Sequence, residues 1–164
     1  MYCAAAFPSR GRAGRLGRRK LRVLRQILVG SAASLTNVAI HSLFMLLVLW
    51  AARTARNVRV AQPDMRLVIV MVATVSALMI AHFCEVMIWA QTYRLIGAVE
   101  TEFFEYFAFV NFTTLGYGDI LPVAQWRLIG PITAMNGIVM FGWSTAVIFD
   151  VLRRMLEESD AVVR

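Results

Sequence analysis

Acidic residues are scarce in this chain, ten against seventeen Lys and Arg, and formal charge is +7. Charge of either sign is missing from long stretches. No Asp, Glu, Lys or Arg lies within residues 26–52 or 128–149, and residues 67–93 hold only Glu85. Cysteine is nearly absent. Cys3 and Cys84 build no disulfide framework and no zinc-type spacing. There is no G-x-S-x-G, no P-loop and no other catalytic constellation, so an enzyme is not expected and no cofactor is implied. No internal repeat is visible. The 15 residues after Phe149 are too few and too polar for a separate regulatory domain.

What remains is apolar. Hydrophobic residues make up 59% of the chain, against about 45–50% in an average soluble protein. Each charge-poor run exceeds the roughly 20 residues that a helix needs to cross a hydrocarbon layer. The fold class is therefore all-α and integral to the membrane, multi-pass, with three transmembrane helices. A bilayer is the first partner, and the cell (inner) membrane is the expected location. The charge needs no nucleic-acid partner, because most of it sits in two clusters flanking the first run.

The chain divides as follows. Residues 1–20 are a basic segment, expected to be mobile because Pro8, Gly11, Gly14 and Gly17 fall in it. Residues 21–52 form a peripheral transmembrane helix. Residues 53–66 are an arginine-rich loop, 67–93 a second span and 126–150 a third. Residues 151–164 are a short tail. The run after residue 25 is too long for a signal peptide, so the first span is retained. Arg53, Arg56 and Arg59 recur every third residue, as in a voltage sensor. A sensor must embed its arginines in a span, whereas these lie between spans and stop at Pro63, so an anchoring loop is the reading.

Between the second and third spans, residues 101–121 hold a different segment. Glu102–Phe112 reads EFFEYFAFVNF. Thr101 is placed to cap a helix there, with Glu102 and Glu105 at its positive end. Eleven helical residues cover about 16 Å, half a bilayer. Such a segment enters and returns. The backbone after it is tolerated at membrane depth only where protein buries it or it lines water. That backbone is TTLGYGD, residues 113–119. Glycine at alternate positions carries an entropic cost. It lets left- and right-handed backbone states alternate, which turns successive carbonyls to one side.

The segment Thr114-Leu115-Gly116-Tyr117-Gly118-Asp119 resembles the selectivity filter of the potassium channel pore-domain family, of the small bacterial type with one pore loop per chain. Tyr106, Phe107, Pro122 and Trp126 lie at familiar distances. Gly137 resembles the inner-helix hinge glycine, and Phe141-Gly142 a Phe-Gly pair below it. The likeness covers about residues 67–150. It implies a K+-selective channel in which the carbonyls of Thr114, Leu115, Gly116 and Tyr117 replace the hydration shell of the ion. Gly118 completes the filter. Tyr117 braces it, and Asp119 stands at the outer mouth. One loop per chain implies three further copies, a homotetramer. Ile138, Phe141 and Thr145, at i, i+3 and i+7, share one helical face and with Gly142 are the candidates for cavity and gate. Asn136 lies near the opposite face and is expected to bond to a neighbouring helix. Two departures stand out. Leu115 replaces valine or isoleucine, which permits a weakly selective cation pore. Val110 replaces a glutamate that supports the outer aspartate, so Asp119 needs another partner: Trp126, Tyr106 or water. The alternative from another class is a non-conducting subunit that regulates a transporter.

Three polar residues fall inside the first two spans: His41, His82 and Glu85. His82 and Glu85 are i, i+3 neighbours on one face. Three readings are open: a hydrogen-bond cluster pinning helix to helix, a proton-sensitive gate, or a metal site with Cys84, which points elsewhere. Trp89 and Trp126 suit an outer membrane interface, Trp50 an inner one. Glu100, Glu102 and Glu105 would concentrate cations at the mouth.

Topology signals conflict. The likeness puts loop 53–66 in the cytoplasm, in line with the positive-inside rule. The eight basic groups of residues 1–25 then lie outside. Either translation starts nearer Leu21, or the 22–52 stretch does not fully cross.

Overall fold

A computed structural model describes residues 10–55, 63–100 and 102–163. Regular structure in them is helical: α1 (Arg10–Ala55), α2 (Pro63–Ile96), α3 (Phe104–Phe112) and α4 (Ile129–Val163). Three helices are long and apolar enough to cross a membrane, over Leu16–Ala51, Met65–Ile96 and Ile129–Glu157. This is a multi-pass membrane protein. In hydrocarbon a backbone must satisfy its own polar groups, and helices do so within one segment.

α1 and α2 outrun their expected bounds at both ends, while α4 starts three residues late and runs past its expected end. α1 begins at Arg10, so residues 10–20 are helix rather than a mobile lead. Propagation from an existing helix adds one hydrogen bond per residue, and Arg, Lys and Leu are good helix formers. That outweighs Gly11, Gly14 and Gly17. Residues 1–9, with Cys3, lie outside the described residues. The 53–66 loop is also shorter than expected, because α1 runs to Ala55 and α2 starts at Pro63. Proline fits a first helical position, where no N–H is needed. Arg56 and Arg59 lie outside the described residues.

The third span continues through the supposed tail. Arg154 Nε donates to Asp150 Oδ2 at 2.8 Å, and Arg153 Nη2 approaches Asp150 Oδ1 at 3.3 Å. Val151 and Met155 pack against Val48 and Val70. The short helix starts later than expected. Its N-cap is Phe103, with no side-chain capping bond. Thr101 therefore is not the cap and lies outside the described residues, and Glu102 precedes the helix. Burial sets this start: Phe104 packs on the core and Phe107 is buried, while Phe103 is exposed.

α1 and α3 each pack on α2 and α4. The main core joins Ala33 of α1, Trp89 and Tyr93 of α2, Phe107 and Phe112 of α3, Trp126 of the connecting loop, and Ile129 and Met140 of α4. α1 lies beside the apolar length of α4. Gln26 Oε1 accepts from Leu128 N at 2.7 Å at one end, and Val48 meets Val151 at the other. The 22–52 stretch therefore runs alongside α4 from one end of its apolar length to the other. Arg25, at the basic end of α1, lies 4.7 Å from the centre of the Trp126 ring. That end is on the same side as the loop following Asp119.

Candidate functional site

The loop after α3 takes its shape from the end of that helix. Thr114 N–H donates to Asn111 O at 3.0 Å. Leu115 N–H and Gly116 N–H both donate to Val110 O, at 2.9 and 3.3 Å. The amides of Thr114, Leu115 and Gly116 are thus tied back to the helix. Its carbonyls are not: no backbone N–H among the described residues bonds to the carbonyl oxygen of any of residues 114–118. Left-handed φ occurs at Thr114 (61°), Gly116 (62°) and Gly118 (75°), while Leu115 and Tyr117 between them do not share it. The two glycines are where sequence reasoning put the permissive positions. Thr114 is an addition. A β-branched residue there is strained, by about 1–3 kcal/mol. Residues 113–119 are all exposed on the single chain, Tyr117 at 69%.

Asp119 has a partner in Tyr106. The phenol O–H donates to Asp119 Oδ2 at 2.6 Å, and Asp119 Oδ1 accepts from Ile120 N at 3.0 Å. The Tyr106 bond holds the Asp119 carboxyl below the usual carboxylate range. The same bond pushes the phenol upward. Of the three partners the sequence left open, the tyrosine takes the role. Val110 contributes its backbone carbonyl to the loop. Trp126 is buried against Arg25, and its indole N–H has no hydrogen-bond partner. Trp89 is fully buried too. Neither tryptophan lies on a surface of the chain, which corrects their assignment to an outer interface. Trp89 instead donates its indole N–H to Asn136 Oδ1 at 3.0 Å.

α4 runs unbroken through Gly137 and Gly142. Gly137 has a packing reason to be glycine: a Cβ there would sit 1.9 Å from the Phe112 carbonyl oxygen. The inner helix therefore touches backbone at the end of α3, one residue before the loop turns. Gly142 meets nothing within 4 Å. Ile138 and Thr145 are exposed on the single chain. Phe141 shares their helical face only in part. Its ring lies 4.8 Å from the His82 ring and 5.5 Å from that of Phe112.

The polar residues of the spans converge. His41 Nδ1 of α1 lies 2.7 Å from Glu85 Oε1 of α2, and His82 Nδ1 lies 2.9 Å from Glu85 Oε2. His82 Nε2 and Ser144 Oγ of α4 are 2.9 Å apart. One turn away, Asn37 Nδ2 donates to Asn136 Oδ1 at 2.9 Å, the acceptor that Trp89 also uses. His41, Glu85 and Asn37 are fully buried. Asn136 bonds between helices, as its position suggested. Sequence reasoning missed Asn37 and Ser144. For Asn37 the signal was present, because it precedes His41 by four residues on one helical face; for Ser144 no local pattern gave one.

Residues 81–154 match the family described as ion channel. The matched segment covers the second half of α2, the whole of α3 with its loop, and most of α4. No curated protein and no solved structure matches the chain.

Proposed function

Because residues 81–154 match an ion-channel family domain, we propose that four copies of the chain make a potassium-selective pore across a cell membrane. The carbonyls of Thr114, Leu115, Gly116 and Tyr117, with Gly118 at the rim, surround dehydrated K+ as in the family it resembles. Asp119 marks the outer mouth. Ile138, Gly142 and Thr145 face the cavity, and Phe141 links that wall to His82. The exposed Tyr117 braces the filter against a neighbouring copy. The C-terminal end of α3 points its partial negative charge toward the cavity and favours a cation there.

One observation carries this reading. Left-handed backbone at residues 114, 116 and 118 alternates with ordinary backbone, and the intervening carbonyls have no N–H partner. A lone chain in lipid would leave those oxygens unsatisfied, at several kcal/mol each. A fourfold axis with an ion on it supplies the missing partner.

The test is potassium flux from vesicles holding the purified chain. The unmodified protein conducts, and Gly116→Ala, whose side chain is strained at φ 62°, does not. Absence of flux from the unmodified protein, with a second polypeptide recovered on co-purification, would favour a non-conducting subunit instead.

A further inference from the structure

The two histidines of the chain both lie in one cluster, and they come from different helices. His41 is on α1; His82 and Glu85 are on α2. One imidazole nitrogen of each histidine and a carboxylate oxygen lie within 4.8 Å of one another. We propose that His41, His82 and Glu85 form a binding site for a zinc-class divalent cation that ties the peripheral helix α1 to α2.

The donor chemistry fits. Two imidazole nitrogens and one carboxylate are a zinc-type set, with a fourth position open to water. At metal–ligand distances of about 2.0–2.2 Å, tetrahedral donors stand about 3.4 Å apart. The observed 2.7 and 2.9 Å separations both widen slightly to admit the ion. The second nitrogen of His82 also fits. A ligating imidazole places its proton on the nitrogen away from the metal and donates it to an acceptor. For His82 that acceptor is Ser144 Oγ, 2.9 Å from Nε2. His41 Nε2 has no hydrogen-bond partner and is buried. The Trp143 indole lies against that ring, with centroids 5.0 Å apart. His82 is the one member with exposure, 12% of its side chain, and so marks the way in. Cys84 is not among the converging atoms.

The site reaches the conducting part through contacts already described. Ser144 and Phe141 are on α4, and the His82 ring faces Phe112, the residue before the loop. A bound ion fixes His82 and thereby restricts the inner helix where it leans on α2.

Cobalt(II) gives the direct readout, because its visible spectrum reports coordination. The untagged, chelator-treated full chain in nanodiscs is titrated with Co2+. One ion per chain is expected, with the intense absorption of low-coordinate cobalt, displaced by Zn2+. His82→Gln and Glu85→Gln abolish it and Cys84→Ser leaves it intact. Ser144→Ala weakens binding about 10–100-fold. A mutation-free check uses 15N-histidine labelling, which reports these two rings alone: Zn2+ shifts Nδ1 of both to the metal-bound range. Unshifted resonances at saturating Zn2+, no cobalt spectrum, or a spectrum that survives Glu85→Gln overturns the site. None of these readouts depends on conduction, so failure here and failure of the pore reading are separable.

Discussion

The loop at 113–119 and the buried cluster around Glu85 are both polar structure in an apolar chain, and they are satisfied in opposite ways. The cluster is built from three helices of one chain. Its hydrogen bonds run from His41 through Glu85 and His82 to Ser144. The loop ties its Thr114, Leu115 and Gly116 amides to Asn111 and Val110, and no backbone N–H among the described residues reaches the carbonyls of 114–118. One element belongs to the folded chain; the other requires something outside it. On the function proposed above, damage to the first is a matter of folding, and damage to the second a matter of assembly and conduction.

The largest effect expected is at the loop. Gly116→Ala removes flux by more than about 100-fold, because backbone strain of about 1–3 kcal/mol recurs in each of four copies. The helicity of the detergent-solubilised chain is unchanged. A comparable loss of helicity would mean that the loop supports the chain's own fold. Glu85→Ala does the reverse. It strands two imidazole nitrogens at about 1–3 kcal/mol each, which appears as a lower unfolding midpoint even where no pore assembles. A variant as stable as the parent would break the contrast.

Gly137→Ala sits between the two regions. Its Cβ is driven into the Phe112 carbonyl, so α4 or the end of α3 must shift, at about 1–3 kcal/mol. Gly142→Ala is the matched control and stays within about 0.5 kcal/mol. Equal effects at the two glycines would mean that contact with Phe112 does not set the inner-helix position.

Tyr106→Phe has the smallest effect. Asp119 is held below the ordinary carboxylate range by the Tyr106 bond. Its contribution is present above the unfolded carboxylate value and is lost as pH falls through the lowered folded value. Removing the hydroxyl returns the Asp119 titration, followed by carboxyl 13C shifts, upward toward the ordinary range. An unmoved titration would assign the depression to the Ile120 amide.

Much of this was legible in sequence. Charge-free runs marked three spans, because lipid excludes charge. Gly116 and Gly118 marked the loop, since no other residue takes positive φ without strain. Helix ends were less legible. Thr101 is a better cap than Phe103, yet burial of Phe104 and Phe107 decided where α3 begins. Trp89 and Trp126 looked interfacial because indoles favour interfaces, and only three-dimensional contacts show Asn136 and Arg25 as their neighbours. Thr114 was not recognisable as a left-handed residue, because its conformation is imposed by Asn111 and Val110. Ser144 pairs with His82 across 62 positions, a distance no local pattern spans.

The central claim is that free carbonyls of residues 114–117, gathered from four copies, carry K+. The most direct measurement is the reversal potential of the purified protein in a planar bilayer, with K+ on one side and Na+ on the other. A potential close to the potassium equilibrium value is predicted, with current abolished by Gly116→Ala. A potential near zero, or current that persists in that variant, would contradict it.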